Sequence, residues 1–294
     1  MSQILKYRKK IKSVKNIAKI TRAMQMISAS KMKRAQDLAS KGKIYSDEIY
    51  SLASEIAPHI KKETHPLLNE KAKNTDSDLV VLIAPEKGLC GSLITNLYKK
   101  IGEIVKLNNL NAKKFIVVGR KGSYLARIFK ADILAEFSLG LTQPSYEIVP
   151  PIARIISDEF LNGNIGKVII IFSEFISTLE YEIKFRNLLP IVDFENASLI
   201  DESGQKETSF VFEPSSEMIA DGVFSMYLET AIYQAILDSF ASEQSARMIA
   251  MKNATDNAKE LVSELTLTFN KERQMSVTSE ILDINSAVSM LTTN

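Results

Sequence analysis

Glycine and proline are missing from both ends of this chain. The first glycine is Gly42 and the first proline Pro58, and after Gly222 neither occurs again for 72 residues. Nine of the 11 glycines and all eight prolines lie between those limits. These two residues are the strongest punctuation a backbone has, so their distribution predicts helix, mixed domain, helix. The expected boundaries are residues 1–58 for an N-terminal helical segment, 76–213 for a central domain and 214–294 for a C-terminal helical segment.

The first segment has apolar or small residues at three- and four-residue steps: Ile4, Tyr7, Ile11, Val14, Ile17, Thr21, Met24, Ile27, Met32, Ala35 and Leu38. Lysines and arginines fill the other faces. That spacing suits a narrow seam against one other helix rather than a broad core-facing side. Gly42 is expected to mark a bend, after which Tyr45, Ile49, Leu52 and Ile56 continue the stripe.

The last segment has a similar seam through Val223, Tyr227, Ala231, Ala235, Met248, Met251, Thr255, Ala258, Val262, Leu265 and Phe269. Pro214 with Ser215 and Ser216 reads as its approach and cap. Residues 217–291 as one helix would extend about 110 Å at about 1.5 Å per residue. A helix so long and so narrowly amphipathic needs a partner. The N-terminal helix is the obvious mate, giving an antiparallel coiled coil with stutters near Val14-Ile17 and Met248-Met251. Ala18, Ala246 and Ala254 would permit close approach, and the C-terminal helix would project beyond its mate.

The middle alternates strand and helix signals. Leu79–Ala84, Lys114–Val118 and Lys167–Phe172 read as buried strands, and Leu93–Leu107, Gly122–Phe129 and Ile152–Leu161 as helices. Tyr181–Arg186 and Phe210–Phe212 read as edge strands, and Pro150-Pro151 as a helix opening. The fold class is therefore α/β: a central Rossmann-like domain beside a long coiled coil.

Charge is strongly polarised along the chain. Residues 1–43 hold 13 Lys or Arg against one acid, Asp37, whereas the other 251 residues hold 24 basic and 34 acidic groups. An acidic partner near the N-terminal helix is expected. No apolar run approaches the ~18–20 residues of a membrane span. No apolar stretch follows the basic start, so no signal peptide is expected. A mitochondrial presequence is also not the reading, because the stretch is Lys-dominated and runs into the helical pattern. The single cysteine, Cys90, fits a reducing compartment.

Tests for chemistry end without an assembled site. Ala84-Pro85-Glu86-Lys87-Gly88-Leu89-Cys90-Gly91-Ser92 is a glycine-containing turn of the kind that cradles phosphate, but it lacks the Gly-Lys-Ser/Thr ending and the Gly-x-Gly-x-x-Gly spacing. Gly119-Arg120-Lys121-Gly122 is equally incomplete. Cys90 reads as a buried structural thiol. His59, Glu63 and His65 are too few and too loosely placed for zinc. Asp158-Glu159 and Asp201-Glu202 read as solvated charge. Lys9, Lys10, Lys12, Lys15 and Lys19 suit phosphates, but only Tyr7 accompanies them, so nucleic acid is not expected. No catalytic, cofactor or metal residues are expected.

Three stretches are more specific. Ile11 to Arg34 (IKSVKNIAKITRAMQMISASKMKR), Ala241 to Asn257 (ASEQSARMIAMKNATDN) and Asn270 to Glu280 (NKERQMSVTSE) closely resemble the helices of F-type ATP synthase gamma subunits of the bacterial type. The turn Lys87-Gly88-Leu89-Cys90-Gly91 is similar to that family's, which usually has Arg where Lys87 stands. Ser286-Ala287 departs from the family's usual Gly-Ala. The chloroplast form's cysteine pair is absent.

The resemblance implies a non-catalytic central-stalk rotor. Its partners would be the alpha and beta subunits of the catalytic ring, the epsilon subunit and the c-ring, with no direct small-molecule substrate. Its place would be peripheral, on the cytoplasmic face of the bacterial inner membrane. By motif match, Met24, Lys87, Arg247, Gln274, Thr278 and Glu280 are the expected beta contacts. The rival reading is a nucleotide-binding α/β protein with a helical oligomerisation arm.

Overall fold

A computed structural model describes residues 2–57, 60, 66–68, 77–107, 111–140, 143–191 and 216–292. Pro58, the His59/Glu63/His65 cluster, Asp201-Glu202, Phe210–Phe212 and the Pro214-Ser215 approach lie outside the described residues. Two very long helices bracket the chain, α1 (Ser2–Ile56) and α5 (Ser216–Thr292). The chain falls into two compact units, Met1–Ser28 with Arg247–Asn294, and Ala29–Ala246.

The first unit is the opening of α1 beside the closing part of α5. Val14, Ala258 and Leu265 are buried together, flanked by Tyr7, Ile11, Ala18 and Val262. Next to them Thr21 and Thr255 share a buried hydroxyl–hydroxyl hydrogen bond of 2.7 Å. From that pair the apolar cluster extends backwards along α1 and forwards along α5, so the helices run antiparallel. Each threonine also lies within reach of a carbonyl in its own helix, Ile17 at 3.1 Å and Met251 at 2.7 Å. Whichever hydroxyl does not donate across the seam can therefore donate backwards, leaving neither proton unmet. One satisfied polar pair in an apolar seam favours this register over slipped ones.

The true seam on α1 alternates steps of four and three through Tyr7, Ile11, Val14, Ala18, Thr21 and on to Ser28. Ser28 is buried, while Ile17 and Ile27 are exposed at 49% and 57%. Those two isoleucines, expected on the seam, face away from it: Ala18 and Ser28 take the inward positions, and small side chains there let the backbones approach. At the far end α5 outruns α1, and Val277, Ile281, Leu282 and Ile284 are all exposed.

The second unit contains a five-stranded sheet in the order β3-β2-β1-β4-β5. Its strands are β1 (Asp78–Ile83), β2 (Ala112–Val118), β3 (Asp132–Phe137), β4 (Val168–Phe175) and β5 (Tyr181–Leu189). The first four run parallel, and β5 joins β4 antiparallel. The helices between strands are α2 (Leu93–Leu107), α3 (Arg120–Ile128) and α4 (Val149–Leu161). From Leu79 onwards strand β1 is apolar because both its faces are covered. Leu79, Val81 and Ile83 join one cluster with α4, α1 and α5, whereas Val80, Leu82 and Ala84 join another with α2 and α3. Pro150 and Pro151 stand in the first turn of α4, where a missing amide costs nothing.

Three details depart from expectation. Helix α1 is not interrupted at Gly42. It continues to Ile56, and a Cβ at Gly42 would lie 3.2 Å from the tip of the Gln234 side chain of α5, a tight contact that the glycine avoids. Tyr45 and Leu52 are exposed, while Ile49, Ala53 and Ile56 carry the buried stripe. Strand β3 carries no clear signal in the sequence, because a half-exposed edge strand with Asp132 and Glu136 shows neither an apolar run nor clean alternation.

Two turns at the carboxyl ends of β1 and β2 are packed against each other through glycine. Gly119 has φ +95°, and a Cβ there would meet the Ala84 carbonyl oxygen at 2.0 Å. The Gly119→Ala variant combines backbone strain with overlap on main chain, so a loss of about 3 kcal/mol or more is expected. A urea melt of the full chain checks this, and an unchanged midpoint would contradict it.

Candidate functional site

In open parallel sheets, ligands bind beyond the carboxyl ends of the strands, where the strand order reverses. Here that place lies between β1 and β4, and helix α5 fills it. Ser239 Oγ accepts the Ser173 amide at 3.0 Å, and Ser242 Oγ donates to the Ser173 carbonyl at 3.0 Å. Glu243 then reaches the turn after β1, accepting the amides of Glu86 at 3.1 Å and Lys87 at 3.4 Å. The amides that make such turns phosphate cradles are thus engaged by a carboxylate of the same chain.

Glu86 fixes the turn from its other side. Its carboxylate, 5% exposed, pairs with Arg120 Nε at 2.8 Å. It also accepts from Ser138 Oγ at 2.9 Å and from the Leu139 amide at 3.2 Å. These bonds tie the β1 turn to the ends of β2 and β3. Within the turn Cys90 is buried, its thiol 3.8 Å from the Lys87 carbonyl, as expected of a structural cysteine. Lys87 and Leu89 point outwards.

The six sequence-predicted contact residues do not form one cluster. Gln274, Thr278 and Glu280 are exposed on the last turns of α5, where Glu280 accepts from Ser276 Oγ at 3.4 Å. Met24 is half-buried on α1 in the same unit. Arg247 is only 6% exposed, so its substitution also touches the chain's own packing. Lys87 belongs to the second unit.

A basic groove of about 900 Å³ runs along the first unit, with Arg8, Lys12, Lys15, Lys19 and Lys259 around Ile11 and Val262. It gives the polarised charge of the sequence a place. A second, polar cleft of about 520 Å³ lies in the other unit and includes Lys43, Asp47, Glu174, Arg186, Gln234 and Asp238.

Sequence reasoning missed Glu86, Glu243 and Asp238. A signal for Glu243 existed: Ser242, Glu243, Gln244 and Ser245 are consecutive and all buried. Four polar residues covering every helix face mark a stretch enclosed by polar partners rather than by a seam.

Residues 3–291 match the family described as ATP synthase. An ATP synthase gamma chain of Dehalococcoides mccartyi is 42% identical over 287 residues, 97% of each chain. That of Chloroflexus aurantiacus is 36% identical over 289 residues, again 97% of each. This chain belongs to the ATP synthase gamma chain family. Gamma chains are the central-stalk rotor subunits of ATP synthase and are not themselves catalytic. Among solved structures, the central stalk/c-ring of Tetrahymena thermophila mitochondrial ATP synthase includes a chain 26% identical, with TM-score 0.57 over 80% of this chain and 99% of that one. The rotor of Euglena gracilis mitochondrial ATP synthase shares the fold at 16% identity, with TM-score 0.66 over 94% and 99%.

Among the described residues of this gamma chain Asp238 is a carboxyl with a pH signature. Burial first, and then the charge of Glu174, push it up from 3.8 to about 6, against the opposing effects of Gln234, Arg186 and Lys43. The folded chain holds this proton more tightly than the unfolded one. Its contribution is therefore most favourable below the unfolded value and is lost as pH rises through about 6. Asp238→Asn should stabilise the chain relative to the parent increasingly from pH 4 to pH 7, by up to roughly 3 kcal/mol. Urea midpoints across that range test it; a gap independent of pH would contradict it.

Proposed function

We propose that this gamma chain works as the shaft of a proton-translocating ATP synthase, with residues 1–58 and 214–294 as the axle and 76–213 as the foot. The axle turns inside a ring of alpha and beta subunits, and the foot joins epsilon and the c-ring. The chain then works peripherally at the cytoplasmic face of a bacterial inner membrane, carrying torque between ion flow and ATP synthesis or hydrolysis. Among the described residues no helix is long and apolar enough to cross a membrane. The reading is carried by one observation: the family match runs through both paired terminal helices, not only through the sheet domain.

The physical demands of such a shaft fit the residues. It must resist twisting and yet bind its surroundings weakly at every angle. Unbroken backbone hydrogen bonding and a paired helix supply resistance. Ile281, Leu282 and Ile284, exposed on α5 beyond the seam, offer an apolar surface beside the exposed carboxylates Glu280 and Asp283. The basic groove around Lys12 and Lys15 suits acidic loops of the surrounding ring. Met24, Lys87, Arg247, Gln274, Thr278 and Glu280 are proposed as beta contacts, with Arg247 and Gln274 as a polar catch.

Copurification with tagged beta subunit should recover one copy of this chain for each ring of three alpha and three beta subunits. Absence from the ring, or turnover of ATP by this chain alone, would contradict the reading. In reconstituted vesicles Arg247→Ala should lower coupled ATP synthesis about five-fold, the equivalent of roughly 1 kcal/mol. Met24→Lys should reduce the protons pumped per ATP hydrolysed. If both variants behave like the parent, the contact assignment fails.

A further inference from the structure

Nucleotide-binding sheets hold an anion on turn amides at the switch point of the strand order. In this chain the anion at that position is its own Glu243, 2% exposed, with each carboxylate oxygen taking one amide of the β1 turn. The Glu86 carboxylate anchors the same turn to Arg120, Ser138 and Leu139. Two residues past these anchored amides Leu89 sits at φ 63°, a left-handed conformation uncommon for a bulky side chain, and is 63% exposed. A strained backbone that holds an apolar side chain out in solvent persists only where its surroundings over-determine it.

We propose that Glu243 is a positioning residue, an internal anion that fixes the Pro85–Gly91 turn to α5 so that Lys87 and Leu89 are presented to the partner in one attitude. The inference rests on the reading of Lys87 as a partner contact. It adds the part that makes the contact useful for transmission. A turn bonded to α5 only through apolar packing can yield under load, whereas hydrogen bonds to a carboxylate, the buried one from Glu86 at 3.1 Å and a longer, part-buried one from Lys87, resist displacement in direction as well as distance.

The test is made in the assembled complex with Glu243→Gln, which keeps the shape and one acceptor, and with Glu243→Ala, which keeps neither. Amide hydrogen exchange at Glu86 and Lys87 should quicken about ten-fold or more in the alanine variant and less in the glutamine variant. Amides of β1 should keep the parent's rate. Protons pumped per ATP should fall in the same order, while ATP hydrolysis persists. Unchanged exchange at Glu86 and Lys87, or an equal quickening throughout β1, would reduce Glu243 to core packing and overturn the proposal. If the alanine variant does not assemble, the glutamine variant and the full chain alone still give the exchange result. Lys87→Ala separates the two layers: unchanged pumping there sinks the contact reading, whatever the exchange rates at the turn.

Discussion

A helix of 77 residues with a narrow apolar stripe depends on its neighbour for its shape. In the first unit that neighbour is α1 and nothing else among the described residues, so the Tyr7–Leu265 seam and the Thr21–Thr255 bond carry the pairing. In the second unit the same two helices also pack on the sheet, through Ile49, Ala53 and Ile56 of α1 and Phe224, Leu228, Ala231 and Ile232 of α5. The sheet's own organisation follows from that load. One face of β1 must remain apolar for the paired helices and α4, and the other for α2 and α3.

Helix α5 changes its chemistry along its length to suit these settings. Where it crosses the ends of β1 and β4 it is polar and buried, with Ser239, Ser242 and Glu243 bonded to main chain. Where it meets only α1 it carries a seam one residue wide. Where it has outrun α1 its apolar residues are open to solvent. A doubly wound domain whose switch point is filled by its own helix has exchanged a ligand site for an attachment point. A fold usual among nucleotide-binding enzymes thus serves here in a non-catalytic rotor subunit.

Much of the fold was legible because the long helices hold no proline and one glycine each, Gly42 and Gly222, and because parallel strands such as Leu79–Ile83 must be apolar on both faces. Helix α2 was found at its observed limits, Leu93–Leu107. What escaped is equally physical. A seam of period 3.5 is set by position rather than hydrophobicity, so Ile17 and Ile27 look like seam residues in the sequence, whereas the buried Ser28 does not. Gly42 suggests a bend in a lone helix, whereas α1 runs on through it beside Gln234 of α5. The half-exposed strand β3 has too weak a pattern, and buried carboxylates such as Glu86 and Glu243 look like ordinary surface charge until their amide partners are known. The contact residues were legible only through resemblance, since Gln274, Thr278 and Glu280 have no feature in the isolated chain that marks them.

The central claim is that α1 and α5 turn together as one element. It is tested most directly by joining them covalently where their hydroxyls already touch. The double variant Thr21→Cys/Thr255→Cys places two thiols where the threonine oxygens are 2.7 Å apart, and the native Cys90 is buried elsewhere. After oxidation the assembled complex should keep its rates of ATP hydrolysis and proton pumping, because the cross-link restrains no motion that the cycle uses. A loss of turnover on oxidation, restored by reduction, would mean that the two helices must move past each other and would contradict the account.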